Sequence, residues 1–398
     1  MTTSDNNAPS TDNNALRPET FAAQAGGAVD RETGAIILPI HLTTTYERDS
    51  DLTYPKGLIY GRPDNATIRQ AEAVITHLEA GDHTLLFPSG MAAATTALLA
   101  LDPPAHIVAP RVMYWSLRNW LATAARRYRI EATFIDATDL DTLRATLRPG
   151  QTRLVWLETP ANPLWHITDI EAASAIAHDA GALVAVDSTC ASPVLTRPLT
   201  LGADIVMHSA TKYLNGHSDV LAGSLTFAPN AEATALAERG AALRAGLGTI
   251  LGPLDAAFLL RGLRTLFVRV RHQSAAALEI ANAMAANPAI IEVLYPGLPD
   301  HHGHAIAARQ MTGGFGGMLS IRLAAGEPAA IRTAAALNVW KRATSLGGVD
   351  SLVEHRASIE GAGSPCPPDL LRLSVGLEAR ADLIADLNQA IDNASANS

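Results

Sequence analysis

The residues best suited to chemistry in this 398-residue chain gather around one lysine. Lys212 lies in Ser209-Ala210-Thr211-Lys212-Tyr213, just after the apolar run 205–207, and is followed by Leu214-Asn215-Gly216-His217-Ser218-Asp219. A lysine at a strand exit, flanked by two hydroxyl residues, suits an amine that forms a Schiff base beside a phosphate. Hydroxyls bond phosphate oxygens, and the amine must lose its proton before it attacks an aldehyde, which calls for a desolvated or electropositive setting. Most lysines after strands are surface residues, so the pentapeptide alone does not decide the matter. Asp187 ends the apolar run 182–186, where a parallel strand delivers its last residue to a ligand crevice. An acid there keeps a pyridine nitrogen protonated and its ring an electron sink; the ordinary alternative is a helix or loop cap. Ser89-Gly90-Met91 opens a helix, and its first N–H groups and positive dipole end suit a phosphate, with a plain N-cap as the alternative.

Such residues need elements that bring strand ends together. Ile68, Ala71, Val74, Ile75 and Leu78 recur at helical spacing, and Gly81 is expected to close that helix at the C′ position. Short apolar runs at 84–87, 107–109, 133–135, 154–157, 183–186 and 205–207 alternate with an Ala-rich helix ending near Leu101 and with amphipathic stretches such as 170–180. Strands apolar on both faces, alternating with helices, imply an α/β fold with a helix-flanked, mainly parallel sheet. Beyond about residue 250 the pattern changes to one long helix over 254–286, strands at 290–294 and 318–323, a helix at 329–337, a strand at 371–375 and a last helix at 380–391. That is a smaller α+β domain, with the long helix as its hinge.

Hydrophobic residues make up 48% and charged residues 17%, as in a well-buried globular enzyme. Lys and Arg are scattered within a net charge of −9, without a basic stripe interleaved with aromatics, so nucleic acid is not an expected partner. Two cysteines, Cys190 and Cys366, cannot build a disulfide framework and fit a cytoplasmic protein. Residues 1–16 read as a disordered polar tail rather than a signal peptide, and no apolar stretch is long enough for a bilayer, so no membrane partner is expected. His301-His302-Gly303-His304 lacks Cys or carboxylate at ligand spacing and reads as a solvated loop, with no metal expected. Cys190 reads as a small buried thiol.

Together these pieces resemble the Cys/Met-metabolism family of pyridoxal phosphate (PLP) enzymes, which includes cystathionine β-lyase, cystathionine γ-lyase, cystathionine γ-synthase and methionine γ-lyase. The resemblance runs from about Thr43 to Leu387. It is carried by Tyr60-Gly61-Arg62, Phe87-Pro88-Ser89-Gly90-Met91, Tyr114 and Glu158-Thr159-Pro160-Ala161-Asn162-Pro163. It continues through Asp187-Ser188-Thr189, the stretch from Ser209 to His217, Ser345-Leu346-Gly347-Gly348 and Arg372-Leu373-Ser374-Val375-Gly376-Leu377-Glu378. The resemblance implies that Lys212 carries PLP and shuttles protons, Asp187 pairs with the pyridinium and Tyr114 stacks on the ring. Gly90, Met91, Ser209 and Thr211 would hold the phosphate, joined in trans by Tyr60 and Arg62 of a neighbouring copy. Arg372, with Asn162 and Ser345, would bind the substrate carboxylate, for which its planar fork is matched.

It also implies the fold of the aspartate-aminotransferase type (fold type I) and a homotetramer with active sites shared across a dimer interface. The divisions are an N-terminal arm (1–62), a PLP domain (63–253) and a C-terminal domain (254–398). Features of several subgroups are mixed. Ser188 stands where the family usually has Asn. γ-Enzymes that handle cystathionine usually carry Glu where this chain has Thr344, and cystathionine γ-lyases often carry Glu where it has Ile59. Methionine γ-lyases typically have Cys where it has Ser116. Tyr60-Gly61-Arg62 and the run 85–88 resemble β-lyases, whereas Gly314-Phe315-Gly316-Gly317-Met318 and the Ser345 motif resemble γ-enzymes. The first expectation is a cystathionine β-lyase-type carbon–sulfur lyase acting on a sulfur amino acid. The alternatives are a γ-eliminating lyase, a γ-synthase-type transferase using an activated homoserine ester and a thiol, and, last, a non-catalytic PLP-binding regulator.

Overall fold

The computed structural model describes residues 16–361 and 364–396. The expected disordered tail lies, except for Leu16, outside the described residues. Seven strands form the first sheet: β1 (His83–Phe87), β2 (Ala105–Pro110), β3 (Ile130–Ile135), β4 (Thr152–Glu158), β5 (Leu183–Asp187), β6 (Ile205–His208) and β7 (Gly223–Phe227). Their order is β1-β7-β6-β5-β4-β2-β3. From β3 across to β6 all neighbours are parallel, and β7 runs antiparallel to both β6 and β1. β1, β2, β4, β5 and β6 therefore end at the same edge.

Leu85, Phe87, Ile107, Trp156, Ala185 and Met207 pack one face against the helix Gly90–Leu99. Val108, Val155, Leu157, Val184 and Val186 pack the other against Ile170–Asp179. Burial on both faces is why these strands read as continuous apolar runs.

The helix Ala66–Leu78 starts where Asn65 Oδ1 accepts from Thr67 N at 2.9 Å. Its end differs from expectation. Ala80, at φ 55°, takes the left-handed position beyond the C-cap Glu79. Gly81 serves a different need, because a Cβ there would lie 2.4 Å from Thr226 Cγ2 and 3.0 Å from Phe227 O on β7.

A second sheet comprises β8 (Ile290–Leu294), β9 (Met318–Leu323), β10 (Lys341–Arg342), β11 (Leu352–His355) and β12 (Leu370–Ser374), in the order β10-β11-β12-β9-β8. Leu319, Ile321, Leu371 and Leu373 pack it against the helices Leu266–Ala285, Gly326–Ala336 and Arg380–Ala396. The single long helix expected over 254–286 is two, Pro253–Leu263 and Leu266–Ala285. The break brings Gly262 against the segment after Lys212, where a Cβ would lie 2.2 Å from Asn215 O. Arg269, 3% exposed, reaches back across it. Its Nη1 donates to Tyr213 O at 2.9 Å, Nη2 to Gly262 O at 2.8 Å and Nε to Thr265 Oγ1 at 3.0 Å.

Arg269→Met strands several buried acceptors at once and is expected to cost about 3 kcal/mol of stability in denaturant titration. Arg144→Met, whose Asp141 pair is exposed, should leave the midpoint unchanged. Equal midpoints for the two variants would show that the Arg269 bonds do not hold the break together.

Candidate active site

Lys212 leaves the end of β6 in a tight turn, with Lys212 N donating to Ser209 O at 3.0 Å and Gly216 N to Lys212 O at 2.7 Å. The turn is tied to its neighbours: Ser209 N donates to Thr189 Oγ1 at 2.9 Å, and Ala222 N to Thr211 Oγ1 at 2.9 Å. Lys212 Nζ donates to Ser345 Oγ at 2.7 Å. Burial pulls the ammonium down to about 8, and the nearby Arg372 guanidinium pulls the same way. A useful fraction of the amine is therefore neutral near pH 7 to 8.

Asp187 ends β5, directly beside Glu158 at the end of β4. Both are buried. Asp187 Oδ1 accepts from Thr189 N at 3.0 Å. Burial raises its pKa, and the Thr189 hydrogen bonds oppose that rise. Glu158 is pushed well above the usual carboxylate range, by burial first and then by the charge of Asp187. Glu158 Oε2 accepts from Tyr114 N at 2.6 Å and Oε1 from Asn162 N at 2.9 Å. It thus pins both loops at the strand ends, with the Tyr114 side chain left exposed. Glu158 stood in a motif, but nothing in its spacing revealed this pinning role.

At the end of β1, Ser89 caps the helix Gly90–Leu99 by accepting from Ala92 N at 3.1 Å. The first N–H groups, those of Gly90 and Met91, lack intrahelical acceptors. A Cβ on Gly90 would lie 2.9 Å from Ser209 Cβ, and one on Gly223 would lie 2.2 Å from Ser89 O. Only glycine at both places lets the helix start close against Ser209. Helix amides and the Ser209 hydroxyl so arranged suit a phosphate. Among the described residues Asp187 has no ion-pair partner, which leaves its carboxylate for a pyridinium. A phosphate cradle, a buried acid and a partly neutral amine together fit PLP.

Arg372 on β12 closes the other side. Its Nη1 donates to Asn162 Oδ1 at 3.2 Å and Nη2 to Ser345 O at 2.8 Å, while Nη2 also meets Glu354 Oε2 at 2.6 Å. Ser345, at φ 91°, thus serves Lys212 with its hydroxyl and Arg372 with its carbonyl. Glu354 was not singled out from sequence, since only the β11–β12 register puts it opposite Arg372.

Tyr60 and Arg62 lie exposed on the arm, and Arg62 Nη1 donates to Ala245 O at 2.7 Å. Neither has a hydrogen bond or ion pair to the residues around Lys212. Cys190 is buried, and burial pushes its thiol up. His301 Nδ1 accepts from Gly303 N at 3.1 Å, and no group of metal-ligating residues forms among the described residues. A cleft of about 770 Å³ lies along Asp136, His166, Glu292 and His301, away from Lys212. Among the described residues no helix is long and apolar enough to cross a membrane.

The sequence matches the Cys/Met metabolism PLP-dependent enzyme family over residues 19–392. It is 44% identical over 380 residues to cystathionine gamma-synthase of Mycobacterium tuberculosis, covering 94% of this chain and 96% of that protein. It is 39% identical over 382 residues to cystathionine beta-lyase of Lactococcus lactis subsp. cremoris, covering 94% and 98%. The fold superposes on metB from Corynebacterium glutamicum with a TM-score of 0.91 at 38% identity, covering 96% and 99% of the two chains. On cystathionine gamma synthase from Xanthomonas oryzae pv. oryzae in complex with cystathionine the TM-score is 0.90 at 36% identity, covering 96% and 100%. With its strand-end site fitted to the cofactor, this chain belongs to the Cys/Met metabolism family of PLP-dependent enzymes.

Proposed function

We propose that Lys212 bonds PLP and moves substrate protons, the observation that carries this being its buried, partly neutral amine on Ser345 Oγ. When bound, PLP supplies the electron sink that lets negative charge develop at Cα. Asp187 sets the ring's protonation, Tyr114 covers its face, and Gly90, Met91, Ser209 and Thr211 hold the phosphate. Arg372, held by Asn162 and Ser345, orients the substrate through its carboxylate. The divisions 1–62, 63–253 and 254–398 act as arm, cofactor domain and closing domain.

For the reaction itself, we infer γ-replacement of the cystathionine γ-synthase kind: the leaving group departs from Cγ of an activated homoserine ester and a thiol takes its place. Support comes from the 44% identity to a protein of that name and the fit to a solved cystathionine gamma synthase. Lys212 would take the Cα proton, pass it to the bound cofactor and take one from Cβ as the leaving group departs. It would return protons to Cβ and Cα after the thiol adds, with Ser345 Oγ steering its Nζ between these positions. The β-lyase reading expected from sequence is kept as the second. Ile59 and Thr344 lack the charge that γ-enzymes usually place there, and a named β-lyase is 39% identical. In either case we propose a cytoplasmic enzyme, which its two free cysteines, Cys190 and Cys366, support.

Tyr60 and Arg62 are assigned to the phosphate of a second copy's site, within a homotetramer. Ile36, Ile37, Leu42, Leu52 and Ile59 on the same arm are 51–75% exposed, an apolar surface suited to burial against another subunit.

Each point has a test. PLP uptake by the cofactor-free protein should accelerate as pH rises through about 8, because only the neutral amine attacks the aldehyde; a rate flat across that range would mean the Lys212 amine is not the attacking group. Lys212→Ala and Arg62→Ala chains should each be nearly inactive, yet regain activity when refolded together. Mixed dimers without recovery would remove Arg62 from a shared site. With an activated homoserine ester and cysteine, cystathionine should form faster than cystathionine itself yields pyruvate. Pyruvate and homocysteine as the faster products would establish the β-lyase reading instead.

A further inference from the structure

Behind Arg372 lies a run of buried charge. Arg372 and Glu354 face each other in register across β12 and β11. Glu354 Oε2, at 2.6 Å from Arg372 Nη2, also accepts from Arg356 Nη1 at 3.0 Å. Arg356 Nη2 in turn donates to Glu360 Oε1 at 2.8 Å. Arg118, on the helix that follows Tyr114, comes within 3.9 Å of Glu360 Oε2. Arg372, Glu354, Arg356 and Glu360 are all buried, so solvent screens these charges little. Three arginines against two glutamates leave one net positive charge, which a single carboxylate from outside would balance.

The hydrogen bonds show where that carboxylate meets competition. A carboxylate prefers two parallel N–H bonds from a guanidinium. Both Nη atoms of Arg372 are already engaged by Asn162, Ser345 and Glu354. Its Nε is buried without a hydrogen-bond partner, and so is Glu354 Oε1. Nε is the one nitrogen of Arg372 left without a partner, so a carboxylate brought against it contends with the internal acid for the neighbouring nitrogen.

We propose that Glu354 is a built-in competitor for Arg372 and that, with Arg356, it sets how tightly the enzyme holds amino acids. This rests on the reading that Arg372 takes the substrate carboxylate. Glu354 draws on the positive charge the substrate needs, while Arg356 shares the same Oε2 and keeps that competition partial. Glu354 is a positioning residue that acts through Arg372. It lets a buried, strongly attracting guanidinium release its ligand after each turnover. A glutamate that served only as a buttress would, when altered, loosen binding; a competitor would, when neutralised, tighten it.

The experiment uses the holoenzyme and glycine, an amino acid with no side chain to eliminate, with the dissociation constant read from the cofactor's absorbance. Glu354→Gln keeps an acceptor but loses the charge, and glycine should bind about tenfold tighter. Arg356→Met leaves Glu354 wholly to Arg372, and binding should weaken by a similar factor. With Glu354 neutral Arg356 has no competitor to restrain, so the double variant should keep most of the gain seen in Glu354→Gln. Weakening in Glu354→Gln, no change in it, or losses that add in the double variant would each overturn the proposal. Arg372→Gln separates the two levels. Unchanged glycine affinity there would refute the carboxylate reading itself. Loss there, without a gain in Glu354→Gln, would refute the competitor alone. If Glu354→Gln does not fold, Glu360→Gln frees Arg356 for Glu354, and glycine should bind about threefold tighter. Unchanged or weaker binding in that variant would overturn the proposal equally.

Discussion

A lysine amine stays partly neutral beside a guanidinium only where water is kept from both, and the architecture follows from that requirement. Lys212 is drawn to about 8 chiefly by burial, with Arg372 adding to the effect. Burial at this point needs two sheets. The first supplies Lys212 from the end of β6, and the second supplies Arg372 from β12 with Ser345 between them. Arg269 ties the loop after Lys212 to the helix that leads into the second sheet, so the two halves of the site are held by the same bonds.

Charge is divided across the site in a way that matches the work expected of each end. Asp187 and Glu158 lie side by side at the strand ends, and burial makes two adjacent negative charges unfavourable there. A protonated pyridine nitrogen would relieve that strain, and Glu158 meanwhile fixes the loops bearing Tyr114 and Asn162. The opposite end is cationic, but its charge is moderated from within by Glu354 and Glu360. The acid end suits the cofactor ring and the basic end a carboxylate, and the amine meets the basic end through Ser345.

Much of this was legible in the sequence because it is local or periodic. Runs buried on both faces marked β2, β4, β5 and β6, and their ends marked Asp187 and Lys212. Features that depend on register or close approach were not legible. β7 is a five-residue strand that opens on a glycine, and the expected strands do not include it. Gly81 looked like a helix terminator, yet Ala80 turns the chain and Gly81 makes room for Thr226. The 254–286 stretch keeps helical periodicity across Arg264 and Thr265, so only the approach of Gly262 to Asn215 reveals the break. Glu354 is a buried charge on a strand, and its meaning appears only opposite Arg372. Tyr60 and Arg62 were found by resemblance, and the single chain leaves them on the arm.

The central claim is that one buried amine bonds the cofactor, and the chain allows a direct test. It has two other lysines, Lys56 and Lys341, both exposed. The protein would be loaded with PLP, reduced with borohydride, digested and mapped by mass. The account predicts the reduced cofactor on Lys212 alone; a label on Lys56 or Lys341 with Lys212 unmodified would contradict it.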